Sequence, residues 1–178
     1  MKTLVIHPED RSTDFLKHVY APLKEYTLIR SGDRKRVHAE IKNHDRIFML
    51  GHGSQLGLLS VRQFEGIYVV DAQTVPLLRG KECVFIWCNA DVFVNNHRLK
   101  GFFSGMFVSE LVEAYMMGIP HATNRQVEES NDHFAKAVGL GLMRGLYHAY
   151  HQMMTTYEQL AQKNIVEHYN AERLYLVL

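Results

Sequence analysis

Short apolar runs alternate with helix-like segments through the first 90 residues, and this alternation restricts the chain more than any other feature. Lys2 to His7 is an apolar run. Ser12-Thr13-Asp14 offers a helix N-cap ahead of Phe15, Leu16, Val19 and Tyr20, whose spacing is helical, and Pro22 bounds that helix. Tyr26 to Arg30 reads as a second strand, Ser31-Gly32-Asp33 as a turn and cap, Val37 to Asn43 as a second helix, and Arg46 to Leu50 as a third strand. A β-α-β-α-β order predicts an α/β fold with a mainly parallel sheet. Right-handed crossovers then place helices on both faces, giving a three-layer α-β-α sandwich.

Beyond His52, Leu56 to Val61 and Ile67 to Val70 read as a short excursion of hairpin type, followed by a helix or turn around Asp71 to Leu78. Glu82 to Trp87 is nearly all apolar, as a strand covered on both faces should be, and is the expected fourth core strand. Asn89 to Lys100 is polar and reads as a surface loop. Ser104 to Met117 has helical spacing through Phe107, Leu111, Val112 and Tyr115, with Ser104 as N-cap and Gly118 as C-cap. Ile119 to Thr123 is expected as a short fifth strand despite Pro120. Val127 to Leu146 and Tyr147 to Lys163 form one long helix or two consecutive ones, with Gly139, Gly141 and Gly145 marking close packing, a kink or a break. Leu174 to Leu178 is a terminal apolar run. With no repeat, low-complexity tract or linker visible, one domain over residues 1–178 is expected.

At 178 residues and 47% hydrophobic, the chain is long and apolar enough for a substantial core. Lysine and arginine total 20 against 19 acidic residues, which removes any bulk electrostatic reason to expect nucleic acid or an anionic membrane as partner. The local cluster Asp33-Arg34-Lys35-Arg36 reads as the solvated start of a helix, with a phosphate-binding patch as the alternative. The apolar run at the N-terminus is too short for a signal peptide, and no stretch approaches the ~20 apolar residues of a membrane span, so a cytoplasmic location is expected. Cys83 and Cys88 are five apart within one strand-like segment. An odd spacing points them to opposite faces of an extended chain, so no mutual disulfide is expected, in keeping with a reducing compartment.

Two of the apolar runs end on reactive side chains. Ile47-Phe48-Met49-Leu50 leads into Gly51-His52-Gly53-Ser54, and Val84-Phe85-Ile86-Trp87 leads into Cys88-Asn89-Ala90-Asp91. Parallel strands deliver their C-terminal ends to one rim, where ligands and catalytic groups gather. A cysteine nucleophile needs thiolate character, which a neighbouring histidine supplies by ion pairing before protonating the leaving group. Gly51 permits an unusual turn, and Gly53 lets its backbone N–H approach a substrate oxygen.

These residues resemble the caspase-like cysteine peptidases of clan CD, and within them the bacterial CHAT-type branch. In that superfamily a His-Gly follows the third core strand and the catalytic Cys follows the fourth, as His52-Gly53 and Cys88 do here. The likeness extends as an architecture over Lys2 to Thr123. It implies a caspase-like fold, Cys88 as nucleophile, His52 as acid/base partner, and the N–H groups of Gly53 and Cys88 as an oxyanion hole. A peptide or protein substrate is implied, without cofactor or metal.

Ser54, Asn89 and Asp91 flank the two motifs and are candidate substrate-binding residues, each with the alternative of capping its own loop. Members of that superfamily often place a small residue before the cysteine, whereas this chain has Trp87, which motivates a second reading as a caspase-fold binding or regulatory module without catalysis. A third is an α/β hydrolase or transferase acting on a small metabolite. His148 and His151 are three apart on one helical pattern, but neither a His-Glu-x-x-His arrangement nor a CxxC pair accompanies them. Neither a GxGxxG nor a Walker sequence is present, which leaves nucleotide binding as a fallback reading, and the pattern does not specify an oligomeric state.

Overall fold

In the computed structural model the described residues are 1–61 and 67–178. They form two compact units, one of Met1–Arg11, Lys24–Gly105 and Tyr175–Leu178, the other of Ser12–Leu23 and Met106–Leu174.

Unit 1 is an α/β assembly. Its main sheet contains β1 (Thr3–Ile6), β2 (Thr27–Ile29), β3 (Arg46–Leu50), β7 (Glu82–Ile86), β8 (Gly101–Ser104) and β9 (Leu174–Val177) in the order β2-β1-β3-β7-β8-β9. The pairs β1/β2, β1/β3, β3/β7 and β7/β8 are all parallel. The three expected N-terminal strands are therefore present, and the β3 bounds coincide with the apolar run that predicted it. Between β3 and β7 lies a second, three-stranded antiparallel sheet of β4 (Gly53–Ser54), β5 (Gly57–Leu59) and β6 (Tyr68–Val70), one strand more than the expected hairpin.

Side-chain alternation builds the core of this unit. Leu4, Ile6, Ile47, Met49, Cys83, Phe85 and Phe103 pack in one cluster with Val37, Ile41, Val75, Leu78, Phe93 and Val94. The latter six come from α2 (Arg34–Lys42), α3 (Val75–Leu78) and α4 (Ala90–Asn96). The intervening strand residues Val5, Phe48, Leu50, Val84 and Ile86 are buried as well, which explains why these strands read as unbroken apolar runs. Asp33 caps α2 by accepting from the Arg36 N–H, so the basic cluster opens a helix as expected, with Arg34 paired to Asp71 at 2.7 Å.

Two expectations fail in the segment after β7. Asn89 to Lys100 is not a loop: it contains α4, whose Phe93 and Val94 are fully buried. Three buried positions in seven, one of them a small alanine, do not stand out against the surrounding Asp91, Asn95 and Asn96. Ser104 is not a helix N-cap but the last residue of β8, buried, and the helix expected from it is confined to α5 (Leu111–Met116). Phe107 lies between β8 and α5, so the spacing that runs from it through Leu111, Val112 and Tyr115 begins ahead of the helix.

Unit 2 is helical. A 3-10 turn (Arg11–Leu16) leads into α1 (Lys17–Tyr20), and α5, α6 (Asn124–Leu142), α7 (Leu146–Leu160) and α8 (Ile165–Ala171) follow. Ser12-Thr13-Asp14 thus lies inside the 3-10 turn rather than ahead of a helix. Ile119 to Thr123 is not a strand; it leads to Thr123, which caps α6 in a reciprocal box with Gln126. The glycine-marked break is real, with Gly145 at φ 110° between α6 and α7. A side chain on Gly139 would strike the His18 carbonyl and one on Gly141 the Ala149 backbone, so both are sites of close helix packing. Helix α8, capped by Asn164, was not expected from the sequence. Among the described residues no helix is long and apolar enough to cross a membrane.

Candidate functional site

The carboxyl ends of the parallel strands of unit 1 share one rim. Strand order reverses between β1 and β3, and in open parallel sheets ligand crevices form outside the carboxyl ends at such a reversal. Residues that follow these two strands meet there: His52 Nε2 lies 3.7 Å from Asp10 Oδ1. The histidine side chain is 14% exposed and the aspartate 30%, so the imidazole is mostly covered while its partner still sees solvent. At this distance the two attract as charges when the ring is protonated but do not form a short hydrogen bond.

Cys88 reaches the same rim from the neighbouring strand. β3 and β7 stay in register up to Leu50↔Ile86, and the Gly51 N–H donates to the Ile86 carbonyl at 3.0 Å, one step beyond the strands. His52 and Cys88 each follow that last register pair by two residues. Adjacent strands run about 5 Å apart, so the two backbones leave the sheet side by side.

Cys88 sits in a fastened turn between strand and helix. Asn89 takes up left-handed backbone (φ 63°, ψ 30°), which asparagine tolerates better than other residues with a β-carbon. The Ala90 N–H donates back to the Trp87 carbonyl at 3.2 Å and α4 begins. The Ser104 hydroxyl donates to the same carbonyl at 3.0 Å, and the Asn89 N–H donates to the Gly105 carbonyl at 3.1 Å. Cys88 itself is half-buried, whereas Cys83 is buried with its sulfur 3.8 Å from the Leu78 carbonyl. Burial pushes the Cys83 thiol up to about 12, so it is a packed, unionised group at neutral pH. Both cysteines are free thiols.

Trp87 has a specific place. Its indole N–H donates to the Ser54 carbonyl at 3.0 Å, and its ring lies edge-on to Phe85 and Phe93. A β-carbon on Gly53 would collide with the indole and with the Gly57 carbonyl. Gly53 is therefore demanded by close approach, and the bulky residue before Cys88 is what demands it.

The flanking residues divide. Ser54 is engaged locally: its hydroxyl is 2.9 Å from the Tyr68 hydroxyl and accepts from the Leu56 N–H at 3.1 Å. Asn89 contributes the turn conformation. Asp91 lies in the first turn of α4, with Oδ1 buried and lacking a hydrogen-bond partner among the described residues. His97 caps the far end of α4 and packs its ring 4.7 Å from that of Phe93. Asp10 was not singled out from the sequence; its signal was an acid four residues beyond β1, on the strand end next to that of β3. Among the described residues no group of three or more His, Cys, Asp or Glu side chains is arranged to hold a metal ion.

No protein-family model matches the chain, and comparison with curated proteins gives no match. The site is therefore read from its own chemistry.

Proposed function

We propose that this protein is a cysteine peptidase or amidohydrolase of caspase-like, three-layer α-β-α architecture, acting through a Cys88–His52 dyad on a peptide or protein substrate in the cytoplasm. The observation that carries the reading is the common offset of His52 and Cys88 beyond the Leu50↔Ile86 register pair. Free thiols suit a reducing compartment.

In this mechanism Cys88, its proton passed to His52, adds through sulfur to the scissile carbonyl carbon. The carbonyl electron pair moves to oxygen, facing the N–H groups of Gly53 and Cys88. Collapse of the adduct breaks the C–N bond, and the departing amine takes the proton from His52, leaving a thioester. Water then gives a proton to His52 and adds to the thioester carbon. Cleavage of the C–S bond releases the acid and restores the thiol. Asp10, 3.7 Å from His52 Nε2, helps hold the ring.

The test is hydrolysis of a fluorogenic peptide-amide library by the wild type and two variants. Cys88→Ala should abolish turnover, and His52→Ala should lower it by about 10²- to 10⁴-fold. Undiminished turnover in Cys88→Ala removes the mechanism. A second reading, a caspase-fold module that binds a peptide without cleaving it, is favoured by the commitment of Ser54 to local hydrogen bonds. Peptide binding that is saturable but yields no product, together with a Cys88 no more reactive to iodoacetamide than Cys83, would establish that alternative.

A further inference from the structure

Unit 2 contains a cleft unrelated to the cysteine and histidine of unit 1. It lies between the end of α6 and the first half of α7, has a volume of about 210 Å³, and is lined by Leu140, Gly141, Arg144, His148, His151, Gln152 and Thr155. His148, His151, Gln152 and Thr155 recur at helical spacing and form one face of α7, opposite Arg144. None of the lining residues is a carboxylate.

We propose that this cleft binds a phosphate group. One guanidinium, two imidazoles, a side-chain amide and a hydroxyl line a volume smaller than the ~300 Å³ at which sites for drug-sized ligands begin. The fit is to a compact anion. Five donor-bearing side chains exceed what the two oxygens of a carboxylate can accept and match the three terminal oxygens of a phosphate monoester. An arginine supplies the fork geometry that phosphate favours.

The cleft is also pre-organised. Gly141 allows α6 to meet the Ala149 backbone so closely that no β-carbon fits between them, so the floor of the cleft is closely packed. The His151 ring is held against Tyr147 at a centroid distance of 4.2 Å, so little side-chain freedom is lost when it donates to a ligand. Leu140, Met143 and Tyr147 are at least half exposed around the cleft, giving an apolar margin for whatever bears the phosphate.

The experiment is a titration of the full chain with inorganic phosphate, and then with phenyl phosphate, at constant ionic strength, followed by side-chain NMR signals of arginine and histidine. Saturable shifts of Arg144, His148 and His151 are expected. Arg144→Ala should weaken binding by about 10- to 100-fold, the range for losing a charge-assisted contact. His148→Asn and His151→Asn should each weaken it several-fold, and Arg125→Ala, an exposed cation elsewhere on α6, should leave it unchanged. Arg144 is exposed, so its truncation should leave the fold intact, which amide spectra check directly. Sedimentation with phosphatidylcholine vesicles containing phosphatidic acid separates the sources: phosphate-competed capture identifies a lipid headgroup, and soluble binding without capture identifies a free phosphate ligand. Shifts that never saturate, or that weaken equally in Arg144→Ala and Arg125→Ala, overturn the proposal.

Discussion

At the scale of single residues, the two cysteines are chemically opposite. Cys83 is walled into the core with its thiol raised, while Cys88 stands half-buried at a fastened turn. Iodoacetamide at pH 7.5 should therefore label Cys88 at least about tenfold faster than Cys83, as mass mapping of the labelled peptides would show. The raised thiol also has a linkage consequence. Above the ordinary cysteine value of 9.0 the unfolded chain ionises and the native one does not, so this residue's contribution to stability is intact below pH 9 and is lost as pH climbs toward 12. Between pH 8 and 10.5 that loss is about 2 kcal/mol, and urea unfolding of Cys83→Ala should show a correspondingly shallower decline than the wild type. Gly53→Ala drives a methyl into Trp87 and should cost about 1–3 kcal/mol of stability by the same assay. Of the candidate site, the places of His52, Gly53 and Cys88 beyond β3 and β7 were legible in the sequence because each follows an apolar run. Asp10 was not, because its relation to His52 exists only through the pairing of β1 with β3.

At the scale of elements, legibility followed the strength of local period. Strands β1 and β3 are near-continuous apolar runs bounded by turns, and their positions could be read directly. Helix α4 was missed because it buries one narrow stripe, and β8 was missed because Phe102 and Phe103 carry no alternation and its last residue, Ser104, is also a common helix cap. Helix α8 hid behind a cap whose partner is remote: Asn164 accepts from Val166 and Glu167 but also donates to the Gln126 carbonyl at 2.8 Å. The α6–α7 contact rests on Gly141 in the same non-local way. Gly141→Val should separate these helices and lower the thermal midpoint by several degrees, in line with about 1–3 kcal/mol of overpacking. Scanning calorimetry would register it.

At the scale of the whole molecule, protection should follow burial: the amides of Ile47 to Met49 and Val84 to Phe85, in paired central strands with buried side chains, should exchange with deuterium most slowly in unit 1. The edge strand β2, three residues long, should exchange faster. The composition pointed to an ordinary globular protein but carried no sign that the helical segment Met106–Leu174 is interposed between the strands of one sheet. That interposition bears on synthesis. As the chain leaves the ribosome, β1, β2, β3, β7 and β8 emerge early, yet the strand that lies beside β8 follows only after the helices of unit 2 have been translated. For that interval, several seconds at typical elongation rates, β8 is an open edge of the nascent sheet and a template for pairing with other chains.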